Sequence, residues 1–146
     1  MSSKKVLVVD NEIHILHVVA IKLRNNGYEV ISAENGSEGF ELACREKPDI
    51  VITDFQMPIM TGLELVEKLR QNEQTKDIPV IMLTARSFAI ENGRKHDLQI
   101  SEFLSKPFSP KDLLRSVEDI LYQKDLIPST ELKTSVDSFD RTEDKN

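Results

Sequence analysis

Short β-branched runs alternate along the chain with longer amphipathic stretches, and this alternation predicts βα units built on a parallel sheet. Five runs read as strands, at about 5–9, 28–32, 49–53, 79–83 and 101–105. Ile50-Val-Ile52 and Val80-Ile-Met-Leu83 are apolar at every position, which implies burial on both faces, as when helices cover a sheet on each side. Five helices are expected between and after the strands. The first, about 12–26, sets Ile13, Leu16, Ala20 and Leu23 on one face and stops at Gly27. The second, about 37–47, ends before Pro48 and carries Gly39, a liability of about 1 kcal/mol relative to Ala. A third spans about 62–71. The fourth, about 87–96, has a thin apolar face interrupted by Asn92-Gly93. The last begins where Ser109 caps and Pro110 takes the first helical position.

The periodic pattern fades after Tyr122. The expected organisation is one α/β domain over residues 1–124, with a flexible, acidic and polar tail over 125–146. Its sheet is doubly wound, flavodoxin-like and parallel, in the order 2-1-3-4-5, with helices on both faces.

Composition narrows the function classes. The 146 residues carry 25 acidic against 19 basic side chains, a net charge of −6, which argues against a nucleic-acid binder. No apolar run approaches the roughly 18–20 residues of a membrane span. No export signal is read at the N-terminus, and the lone Cys44 suits a reducing compartment, so a cytoplasmic location is expected. His14, His17 and His96 have no metal-like spacing with Cys44, which is expected to pack against the sheet.

The chemistry gathers at the carboxyl ends of the strands, where open α/β sheets bind ligands. Asp10 and Asn11 follow the first strand, Asp54 the third, Thr84 and Ala85 the fourth, and Lys106 and Pro107 the fifth. Strands 1 and 3 are neighbours in the expected order, so Asp10 and Asp54 converge. Paired carboxylates repel, and Mg²⁺ relieves the repulsion through oxygen ligands. A phosphoryl group on Asp54 would be paired by Lys106 and hydrogen-bonded by Thr84. Singly, Asp10 reads as a helix cap, Thr84 as a loop-entry residue and Lys106 as a solvated charge; together at the strand ends they read as a site.

These residues resemble the receiver domains of two-component response regulators. Val6-Leu-Val-Val-Asp-Asn-Glu12 is similar to that family's first strand with its acidic cluster, and Asp54-Phe-Gln-Met-Pro-Ile-Met-Thr-Gly62 to its phosphoacceptor loop. Leu83-Thr-Ala85 and Lys106-Pro-Phe108 complete the set, and the resemblance covers about residues 4–123. It implies a phosphoacceptor rather than an enzyme, and because only a short tail follows the last helix, a stand-alone receiver is expected. Asp54 would receive a phosphoryl group from the phosphohistidine of a histidine kinase or histidine phosphotransfer protein, and the domain would then switch its surface toward a downstream protein target. It further implies that Thr84 and Ala85 contact the phosphoryl group. Mg²⁺ would be held by Asp10, Asn11, Asp54 and the Gln56 backbone carbonyl, and the Lys106–Pro107 bond would be cis.

Two positions depart from the family pattern. Asn11 stands where an acidic metal ligand is usual, which predicts weaker Mg²⁺ binding, partly offset if Glu12 reaches the site. Phe103 holds the place of a switch aromatic coupled to Thr84, without the more usual phenolic hydroxyl; the competing reading is a plain core residue of an edge strand. Ile15, Val18 and Ile21 exceed what one buried face of the first helix requires, and Ile15 and Val18 with Pro107 and Phe108 are the expected docking surface for a phosphoryl donor. Gln56 and Arg86, two residues beyond Asp54 and Thr84, are expected to influence attack of water on the acyl phosphate.

Three alternatives compete with the phosphoaccepting domain. One is a degenerate receiver that binds partners without being phosphorylated. Another is a phosphohydrolase with an aspartyl nucleophile, disfavoured because Gln56 replaces the second Asp such enzymes usually carry. The last is a flavodoxin-like cofactor carrier, disfavoured because acidic groups after the first strand repel a phosphate.

Overall fold

The computed structural model describes residues 3–85 and 98–126. Five strands, β1 (Lys5–Val9), β2 (Glu29–Ala33), β3 (Ile50–Asp54), β4 (Val80–Thr84) and β5 (Glu102–Ser105), form one sheet in the order β2-β1-β3-β4-β5. Every pairing is parallel. The expected flavodoxin-like, doubly wound α/β fold is therefore present. The described helices are α1 (Ile13–Arg24), α2 (Gly36–Glu46), α3 (Gly62–Gln71) and α4 (Pro110–Leu126). The helix expected at 87–96, together with Arg86 and His96, lies outside the described residues.

The sheet separates two cores. Val6, Val8, Ile50, Ile52, Ile81 and Leu83 face α1 and α4, while Leu7, Val9, Val51, Val80 and Met82 face the α2–α3 side. All five residues of β3 and of β4 are buried, which explains their unbroken apolar runs.

Local signals start three of the helices. Asn35 accepts a hydrogen bond from the Glu38 amide at the head of α2, and Thr61 and Glu64 form a capping box on α3. The Asp112 amide donates to Ser109 Oγ at 3.3 Å, capping α4 as its sequence predicts. Helix α1 begins differently: its N-cap is Glu12, whose side chain makes no capping bond.

Several expectations need correction. The buried face of α1 is Leu16, Val19, Ala20 and Leu23, not the set containing Ile13, which is 49% exposed. At 100° per residue Ile13 lies about 70° from the centre of that stripe, and Val19 lies inside it. Gly39 is less a liability than a fit: a Cβ there would stand 2.9 Å from Val9 Cγ2, so the missing side chain lets α2 approach β1. Cys44 is half-buried, with its Sγ accepting from Asn72 Nδ2 at 3.7 Å, at the junction of α2 with the end of α3. Helix α4 runs to Leu126, two residues into the expected tail, and Asp125 pairs with Lys4 at 3.1 Å. That ion pair ties the end of α4 to the start of the chain where apolar periodicity has already ceased. Residues 127–146 lie outside the described residues.

Candidate functional site

Ladder hydrogen bonds continue past the strands and place the site residues. The Asp10 amide donates to Ala33 O (3.1 Å), the Phe55 amide to Leu83 O (2.7 Å) and the Lys106 amide to Thr84 O (2.8 Å). Asp10, Asp54, Thr84 and Lys106 therefore share one edge of the sheet. The strand 3 boundary shifts by one residue from expectation, so Asp54 is the last residue of β3 rather than the residue after it. Its backbone is thus held by the sheet, and its carbonyl also accepts from Thr53 Oγ1 at 3.0 Å.

Asp10 is fully buried, Asp54 is 6% exposed and Thr84 is 2% exposed. The Lys106 ammonium stands among three carboxylates, 3.0 Å from Asp10 Oδ2, 3.3 Å from Asp54 Oδ1 and 3.1 Å from Glu12 Oε1. Burial, reinforced by the neighbouring Asp10 charge, raises the Asp54 pKa above the usual carboxylate value despite the opposing pull of Lys106. Burial alone would lower that of Lys106, but its bonds to Asp10 and Glu12 and the Asp54 charge raise it, so the ammonium stays charged throughout the neutral range. The hydrogen bond from Lys106 holds the Glu12 carboxyl below its ordinary value.

The loop after Asp54 is shaped by contact. The Gly62 amide donates to Phe55 O at 2.8 Å, and a Cβ on Gly62 would collide with the Asp54 carbonyl oxygen. No residue with a side chain fits there without moving the Asp54 peptide. Ile59, at the tip of this loop, adopts φ 73° and is 79% exposed.

The remaining predicted positions divide. Asn11, Gln56 and Ala85 are exposed at the mouth of the site. The Lys106–Pro107 bond is cis. Phe103 is partly buried against the α2–α3 core. It pairs in register with Met82, so side-chain alternation places it on the same sheet face as Thr84. Ile15, Val18, Lys106, Pro107 and Phe108 line one groove together with Glu12 and Pro110. Ile15 and Phe108 are partly packed on the core, whereas Val18 is 43% and Ile21 59% exposed.

The oxygen donors suit a hard cation: carboxylates from Asp10 and Asp54, an amide oxygen from Asn11 and a backbone carbonyl from Gln56. Among the described residues no three His, Cys, Asp or Glu side chains gather as a metal cage. A bound Mg²⁺, an ion that accepts few protein ligands, would be held by the Asp10 and Asp54 carboxylates, which would supply the negative charge. The residue to which sequence reading gave too little weight is Glu12. Its signal was present, since a Glu at a helix N-cap is a poor capping residue and its carboxylate is available for other use.

A doubly wound sheet whose carboxyl edge holds two buried Asp, a buried Thr and a part-buried Lys defines the class of site. Comparison with known proteins gives the family: the model of the response regulator receiver domain matches residues 6–118, and this chain belongs to that family. It is 34% identical over 121 residues to the phosphate regulon transcriptional regulatory protein PhoB of Pseudomonas aeruginosa, covering 83% of this chain and 53% of that protein. To the alkaline phosphatase synthesis transcriptional regulatory protein PhoP of Bacillus subtilis it is 36% identical over 132 residues, covering 90% and 54%. The chain thus spans about half the length of these curated relatives. Among solved structures, the chemotaxis protein CheY4 of Vibrio cholerae superposes with a TM-score of 0.77 at 34% identity, covering 82% of this chain and 99% of that one. Among the described residues no helix is long and apolar enough to cross a membrane.

Proposed function

We propose that this receiver accepts a phosphoryl group from a phosphohistidine onto Asp54 and passes the change to a protein partner. One observation carries the reading: a buried carboxylate at a strand end, in contact with a lysine kept charged by its surroundings. An Asp54 carboxylate oxygen attacks phosphorus as the phosphorus–nitrogen bond of the donor breaks, and the imidazole leaves with the electron pair. Water later cleaves the acyl phosphate to orthophosphate and restores Asp54. Lys106 acts as a fixed positive charge against a phosphoryl oxygen, and the Thr84 hydroxyl and the exposed edge at Ala85 supply further contacts. Mg²⁺, held by Asp10, Asn11, Asp54 and the Gln56 carbonyl, would supply the charge that offsets the carboxylates and the incoming phosphate.

The domain takes part in its own phosphorylation and dephosphorylation but is a phosphoacceptor rather than a turnover enzyme. The placement of Phe103 and Thr84 on one sheet face supports a switch that couples them. We read this receiver as a cytoplasmic relay acting by protein contact, since the net charge of −6 opposes direct binding of the domain itself to nucleic acid.

The test is incubation with acetyl phosphate and Mg²⁺, followed by intact-mass measurement of the wild type and Asp54→Ala. A phosphoryl adduct on the wild type alone is the expected result; no adduct on either protein would favour the second reading, a receiver that binds partners unphosphorylated. Asn11, neutral where the family usually has an acid, is the feature that favours that alternative.

Asn11→Asp adds a third carboxylate and should tighten Mg²⁺ binding roughly tenfold, the equivalent of about 1.4 kcal/mol of added charge attraction. Calorimetric titration of both proteins checks this, and equal affinities would refute it. The groove of Ile15, Val18, Pro107 and Phe108 is the proposed donor-docking surface, because exposed aliphatic side chains on α1 border the reacting edge. Ile15→Ala should slow transfer from a phosphohistidine donor about tenfold while leaving the acetyl phosphate reaction unchanged. Slowing of both reactions alike would place Ile15 in the packing of the site instead.

A further inference from the structure

We propose that Glu12 is a positioning residue that occupies Lys106 before phosphoryl transfer and yields it to the incoming phosphoryl group. The inference rests on the phosphoacceptor reading and adds a residue to it.

An ammonium has three N–H donors. Around Lys106 Nζ stand three carboxylate oxygens, from Asp10, Glu12 and Asp54, at 3.0, 3.1 and 3.3 Å. The ammonium already donates to Asp10 and Glu12 and pairs with Asp54, so a phosphoryl oxygen that joins it competes with one of these carboxylates. Asp10 is anchored: it is fully buried, and its other oxygen accepts from the Glu12 amide at 2.9 Å. Releasing a buried carboxylate from its cation would leave an uncompensated charge. Asp54 is the acceptor and cannot leave. Glu12 differs from both, because its side chain is 49% exposed and water can solvate it once released.

A second observation points the same way. Glu12 is the N-cap of α1, yet its side chain makes no capping bond and reaches across to Lys106 instead. Breaking that contact therefore costs the helix no cap. The exchange is electrostatic and leaves the covalent step unchanged: the Asp54 oxygen–phosphorus bond forms, the donor bond to phosphorus breaks, and the leaving group takes the electron pair. Afterwards Lys106 holds the phosphoryl oxygen, and the Glu12 carboxylate stands free in the groove beside Ile15, Val18 and Phe108.

The rate of adduct formation tests this, measured by intact mass with subsaturating acetyl phosphate and Mg²⁺ at constant ionic strength. Glu12→Gln removes the competing charge; Glu12→Asp keeps the charge but is one methylene too short to reach Lys106. Both variants should gain a phosphoryl group about two- to fivefold faster than the wild type, the range set by losing one exposed ion pair. If Glu12→Gln alone were faster, the effect would be simple repulsion of acetyl phosphate, and the inference would fall. It would fall equally if both variants matched or lagged the wild type. Those failures leave the phosphoacceptor reading standing, whereas a wild type that never gains a phosphoryl group overturns both.

Discussion

Lys106→Ala is expected to lose about 3 kcal/mol of stability at neutral pH, because it strands Asp10 and Asp54 without a counter-charge inside the fold. For a domain of this size that corresponds to a fall of about 10 °C in the melting midpoint. The pH dependence has a definite sign. The Asp54 pKa is already raised by burial and by Asp10, and removing the opposing lysine raises it further. An acid whose folded pKa exceeds its unfolded value near 3.9 favours folding fully below that value, and loses the contribution as pH rises through the folded pKa. The variant's deficit should therefore shrink as pH falls from 7 toward 4. Lys106 itself has a raised pKa, so in the wild type its contribution is complete below about 10.4 and is lost only in alkali. Millimolar Mg²⁺ should narrow the gap at pH 7 by taking over the counter-charge. Thermal melts at two pH values, with Mg²⁺ and with chelator, measure all of this. A deficit independent of both pH and Mg²⁺ would mean that the loss is one of packing and not of charge.

Gly62→Ala should be at least as damaging, at about 3 kcal/mol. Its new methyl would collide with the Asp54 carbonyl oxygen and lie 2.9 Å from Met82 Sδ and 3.0 Å from Phe55 Cα. Two of those three atoms are backbone, so relief requires the end of β3 to move. Asp54 is part of that end, and acceptance from acetyl phosphate should fall with stability. Gly27→Ala is the control: that glycine has φ 93° and nothing within 4 Å, so its change carries only the left-handed backbone cost of about 1 kcal/mol. Denaturant melts of the two variants, with the adduct assay, separate crowding at the site from backbone strain. Equal losses would mean that the contact at Gly62 is relieved at little cost.

The elements were legible where local physics decides them. The capping Ser109, the stop before Pro48 and the apolar runs of β3 and β4 act within a few residues of chain, and α3 and β1 match their expected limits of 62–71 and 5–9. Boundaries moved by a residue where a ladder bond to a neighbouring strand settles the end, as at Asp54. The face of α1 was misjudged at Ile13 and Val19, because several stripes of that apolar helix satisfy the same period and only the sheet selects one. Near the end of α4, Asp125 meets Lys4, 121 residues away along the chain, a contact no local pattern could reveal.

Asp54, Thr84 and Lys106 are recognisable from residue type and position after apolar strand runs, since only a parallel sheet brings such ends together. The sequence thereby determined the fold class, the family resemblance and the phosphoacceptor candidate. Tertiary structure alone decided that Lys106 bonds Glu12 as well as Asp10, that Gly62 must lack a side chain beneath Asp54, and which α1 side chains stay exposed. Those outcomes depend on close contacts that form only once the chain has folded. A linear pattern names the groups, but only packing sets which of them touch.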